Sequence, residues 1–99
     1  MAADNRHWFA LSPATLSWRR WDDEFVFFDA SSGSTHLLDA GAAGVLIDLA
    51  EAPEGLELRT LLGLNEAEFA DPAAGAEIAA LQDVLTALEQ AGLAQSRSP

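Results

Sequence analysis

The chain contains no cysteine and no lysine. Without thiols it can hold neither a disulfide framework nor a thiolate metal site, and nothing in it argues for an oxidising compartment, so a cytoplasmic location is expected. It also lacks a long apolar run, because its best stretch, AGAAGVLIDLA, is interrupted by Asp48 and stays short of the roughly 18 to 20 residues a membrane span needs. The opening MAADNRHWFALSP has no basic region and no extended apolar segment, so it does not read as a signal peptide. No membrane role is expected.

The cations that are present are arginines, at positions 6, 19, 20, 59 and 97, and with sixteen acids they leave a formal charge of −11. Such a balance repels phosphate backbones, and only Arg19 and Arg20 are adjacent. Ten carboxylates face two arginines beyond Asp39, so the second half of the chain is the more negative one. A basic partner is favoured electrostatically, although acidity also serves simply to keep a small apolar domain soluble. Ninety-nine residues with 49% hydrophobic content suffice for one core and not for two.

The densest local signal is Trp18 to Asp39, WRRWDDEFVFFDASSGSTHLLD. Leu16 to Trp21 reads as a strand and Asp22-Asp23 as its turn. Glu24 to Asp29 follows with Phe25 and Phe27 on one side and Val26 and Phe28 on the other, the pattern of a central strand covered on both faces. Ala30 to Gly33 is a second turn, with Gly33 free to take a positive φ, and Ser34 to Leu38 returns as a third strand. Short connections imply an antiparallel meander. Alternation is imperfect around Arg19, Arg20 and Trp21, where a bulge would swap the faces, so the register there and the identity of the buried tryptophan stay open.

Asp39 stands where a helix cap belongs, and Ala42, Val45, Leu46 and Leu49 recur at helical spacing to about Glu51 before Pro53, Glu54 and Gly55 break the pattern. A short helix is expected near Glu57 to Leu62, ended or redirected by Gly63 and Asn65. Asp71-Pro72 starts the longest helix, which runs to Gly92. Its stripe of Ile78, Leu81, Leu85 and Leu88 is ordinary core packing. Beside that stripe Ala73, Ala80, Val84, Ala87 and Ala91 form a flank of small residues, which either lets another backbone approach or merely reflects the helix preference of alanine. The expected fold is therefore α+β, a three-stranded antiparallel meander followed by three helices, like a winged helix-turn-helix. Residues 1–14 form a lead-in whose Trp8, Phe9 and Leu11 are too apolar for a free tail and are expected to dock. One domain spans 15–94, and 95–99 reads as a flexible tail.

This order of parts resembles the PqqD-like family, winged-helix recognition modules for the precursor peptides of ribosomally made, modified natural products. The wording of Trp18 and Trp21, WDDEFVFFD, Ser32-Gly33 and Thr35-His36-Leu37-Leu38-Asp39 is similar to the branch found beside an HPr-kinase-related protein. The likeness covers about residues 8 to 94. Asp39 departs from the asparagine of many relatives, but both residues cap helices.

The resemblance implies a non-catalytic chaperone that holds a leader peptide along the third strand, beside the last helix, and presents it to a modifying enzyme, with an HPr-kinase-related protein as a further partner. Carried onto this sequence, the peptide-binding residues are Ser34, Thr35, His36, Leu37 and Leu38 on the strand. Strand physics agrees, because an edge strand offers unpaired N–H and C=O groups to an extended chain. The facing wall, offered from the small-residue flank and the adjoining stripe, is Ala80, Val84, Ala87, Leu88 and Ala91. No cofactor or metal is expected, since two distant histidines and scattered carboxylates make no ligand set. An acid-base pair of His36 and Asp39 is disfavoured because a strand points them to opposite faces.

Two other classes remain. A winged helix is a common DNA reader, but here the second helix carries Arg59 against Glu57, Glu66 and Glu68, which repels DNA. An interaction module, monomeric or homodimeric, would use the edge and the aromatics Trp8, Trp18, Trp21 and Phe25, unless these are simply core.

Overall fold

The computed structural model describes residues 6–97. Its first strand, β1 (His7–Ala10), pairs antiparallel with the last, β5 (Ala94–Arg97), in register His7 to Arg97 and Ala10 to Ala94. On its other side β1 meets Leu56: the Trp8 N–H donates to the Leu56 carbonyl at 2.8 Å and the Leu56 N–H donates back at 2.9 Å. Residues 95–97, read from composition as flexible tail, are thus paired backbone. AQSR has no strand-like pattern of its own, and its pairing comes from β1, which lies at the far end of the chain. The rest of the expected lead-in and tail, residues 1–5 and 98–99, lies outside the described residues.

After a single 3-10 turn at Pro13–Thr15 the meander follows: β2 (Leu16–Trp21), β3 (Glu24–Asp29) and β4 (Ser34–Asp39), antiparallel in the order β2-β3-β4. Pairing runs unbroken from Leu16 opposite Asp29 to Trp21 opposite Glu24, so there is no bulge at the arginines. Asp22 takes φ +56°, a left-handed conformation that aspartate tolerates, and lets the two-residue turn close. Gly33 takes φ +76° in the second turn, where its N–H donates to the Asp29 carbonyl at 2.8 Å.

Asp39 caps α1 (Ala40–Ala50), its Oδ1 accepting from the Ala42 N–H at 2.8 Å. The short α2 (Leu58–Leu62) ends at Gly63, φ +72°. There the expected set of three helices is one short, because Asn65 starts α3 (Glu66–Ala70) rather than merely ending α2. A reciprocal pair explains it: Asn65 Oδ1 accepts from the Glu68 N–H at 2.8 Å, and Glu68 Oε1 accepts from the Asn65 N–H at 3.0 Å. Pro72–Ala74 forms a 3-10 turn before α4 (Gly75–Gln90), which closes with Gly92 at φ +78° and the Leu93 N–H donating to the Leu88 carbonyl at 2.9 Å. The molecule is α+β, with a three-stranded antiparallel sheet and four α-helices among the described residues.

One core joins these parts. Trp8, Phe27, Leu46, Leu58, Leu85 and Leu93 are buried in it, drawn from both sheets and from α1, α2 and α4. Trp8 is the buried tryptophan; Trp18 and Trp21 are exposed. In the meander, Phe25, Phe27 and Asp29 alternate toward α1, with Leu16, Trp18 and Leu38 on the same face. The opposite face corrects the expectation of a strand covered on both sides: Val26 is half-buried and Phe28 is 42% exposed. α1 packs on the inner side of β3 and β4, and no second layer of described residues covers the outer side.

Candidate functional site

β4 pairs with β3 alone, from Phe25 opposite Leu38 to Asp29 opposite Ser34, so it is an edge of the sheet. Its outward-turned N–H and C=O groups have no strand partner among the described residues. Thr35 and Leu37 lie on the outer face and are exposed, whereas Ser34, His36 and Leu38 are half-buried on the inner face. His36 stands opposite Phe27, and Asp39 falls on the other face with its Oδ1 held by the α1 backbone. His7 has a neighbour that its sequence surroundings do not suggest, with Nε2 3.7 Å from Glu57 Oε1.

The turn leading into β4 is anchored by Asp29, which is buried. Its Oδ1 accepts from the Ser31 hydroxyl at 2.7 Å, the Thr15 hydroxyl at 2.9 Å and the Ser31 N–H at 3.0 Å. These bonds, the Ser31 hydroxyl first, hold the carboxyl below its usual pKa of 3.8. Fixing this corner fixes where β4 begins. Asp39 fixes where it ends.

On α4 and its C-cap, Ala80, Ala87 and Ala91 are exposed and Val84 is half-buried, four residues that share one side of the helix. Leu88, expected beside them in the wall, is buried and belongs to the core. With Leu81 and Leu85 it lies in the buried cluster where α4 packs on α1, α2 and β5. α1 packs on β4 and also on α4, and is thus the element common to the two halves of the expected site.

A further surface escaped the sequence reading. Ser17, Trp18, Arg19, Trp21, Val26 and Phe28 line a shallow hollow of about 350 Å³ along β2 and β3, and by register all but Trp18 belong to the outer face. EFVFFD carries the signal in its two apolar sides, of which the structure covers the Phe25 and Phe27 side. Among the described residues no group of three or more His, Cys, Asp or Glu side chains is placed to hold a metal ion, and no helix is long and apolar enough to cross a membrane. No family model matches the chain, and no curated protein or solved structure matches it significantly.

Proposed function

We infer that this chain is a non-catalytic peptide chaperone, a winged-helix recognition module that holds a precursor's leader as an added strand on β4 and presents it to a modifying enzyme. The observation that carries the reading is the free edge at Ser34–Asp39, pinned at both ends by buried or capping carboxylates and carrying exposed Thr35 and Leu37. Strand addition takes affinity from main-chain hydrogen bonds and specificity from side-chain pockets, which suits a holder of variable peptides. The exposed alanines of α4 are the surface along which the leader would continue. Its partners, in the cytoplasm, are the precursor peptide, the enzyme that modifies it and an HPr-kinase-related protein, as the resemblance implies.

The test is an amide-shift titration of isotope-labelled protein with precursor peptides encoded beside its gene. The amides of 34–38 are expected to move; binding that leaves them still and moves others overturns the edge assignment. Duplex DNA should not be retained in a low-salt mobility-shift assay, given the half-buried Arg59 and the nearby Glu57, Glu66 and Glu68. Tight, salt-sensitive retention would favour the DNA-reading alternative.

A further inference from the structure

The outer face of the meander is a lattice of three levels. Ser17, Phe28 and Thr35 share one level, Arg19, Val26 and Leu37 the next, and Trp21, Glu24 and Asp39 the third. On the β4 side Leu37 stands out, 65% exposed. On the β2 side, spanning the level of Leu37, lies the hollow lined by Ser17, Arg19, Trp21, Val26 and Phe28, with Trp18 of the inner-face row beside them. A knob and a hole thus sit at one height on opposite sides of β3. A two-fold axis running along β3 exchanges β2 with β4 and keeps every level, so it drops Leu37 of each copy into the hollow of the other. It also sets Phe28 against Phe28 and Val26 against Val26 at the centre, with Glu24 against Glu24 at the end of the same row. We propose that this face is the interface of a homodimer, two meanders packed face to face with Leu37 as the reciprocal anchor.

Size agrees with a second copy as the occupant. With Trp21 73% exposed, Leu37 65% and Phe28 42%, and with Arg19, Ser17, Thr35 and Val26 around them, the face offers roughly 500 to 700 Å² per copy. Doubled, that is about 1,000 to 1,400 Å², from the floor for a biological interface into the low end of the standard range, as for a dimer that dissociates readily. Sheets stacked in this way stand about 10 Å apart with strands aligned. Each copy carries a charge of −11, ten of its acids lying beyond Asp39. Exposed Glu24 and Asp39 lie on the contact face itself, so the two copies should associate more tightly as salt is added. The β4 backbone edge lies beside this face, but Thr35 and Leu37 carry their side chains on it, so a peptide that reads those two side chains would compete with the second copy.

Sedimentation equilibrium of the full chain from micromolar to millimolar concentration tests the assignment. A monomer–dimer equilibrium is expected, and Trp21→Glu and Leu37→Glu should each weaken it at least tenfold with unchanged circular dichroism and melting temperature. Trp21 lies on β2, away from the peptide edge, so its variant leaves leader binding intact and separates the two claims. A protein that stays monomeric to millimolar concentration overturns the proposal. So does a dimer that both variants form as tightly as the parent, which is what pairing through the β4 edges would give with Trp21→Glu.

Discussion

Asp29 makes the meander's second corner sensitive to acid. Its pKa is lowered by hydrogen bonds from Ser31 and Thr15, so the folded state binds the proton less readily than the unfolded chain does. The stabilisation is fully present above the ordinary value of 3.8 and is lost as pH falls through the lower folded value. Urea melts from neutral pH downward should therefore show a steeper acid loss for the parent than for Asp29→Asn, which begins less stable; parallel curves would contradict this. Gly55 offers a second residue-scale test. At φ +86° a Cβ there would lie 2.6 Å from Phe9 Cζ and 3.1 Å from His7 Cβ. Gly33 has φ +76° with nothing within 4 Å, so it carries the backbone strain alone. Gly55→Ala should cost more than about 1 kcal/mol and more than Gly33→Ala, as read from melting temperatures. Trp8, buried with its indole N–H unpartnered among the described residues, should cost about 3–5 kcal/mol as Trp8→Ala. Trp8→Phe should cost clearly less, since it removes the unsatisfied donor along with part of the ring.

Among the elements, those set by local chemistry were legible in the sequence. Asp39, the Asp22-Asp23 and Gly33 turns, and the Leu81, Leu85 and Leu88 stripe all act within a few residues of themselves, and each lies where its pattern puts it. β5 was not legible, because Gln95 to Arg97 becomes a strand only through His7 to Phe9 at the other end of the chain. α3 was missed because Asn65 is equally suited to ending one helix and starting the next; the Glu68 that completes its capping box was the available clue. Asn65→Ala should cost about 1 kcal/mol, and hydrogen exchange in Glu66–Ala70 should quicken ahead of α4. For the site, the edge strand could be read from two short turns. The burial of Leu88 and the openness of the outer sheet face depend on which layer covers what. Periodicity alone does not say.

At the scale of the molecule, the charge of −11 sets the field that any partner meets. A basic leader should be drawn toward the acidic helical half, so its affinity should fall as salt is added, whereas a leader of neutral charge should be nearly indifferent. Among the described residues α1 backs the inner face of the sheet, β4 leaves an open edge, and the outer face is uncovered. Peptide holding is the central claim, and the amide-shift titration of labelled protein with precursor peptides encoded beside its gene tests it most directly. Saturable shifts centred on residues 34–38, with a smaller response at Ala80, Ala87 and Ala91, are the predicted result. Binding that spares the β4 amides, or no binding by any such precursor, would contradict the account.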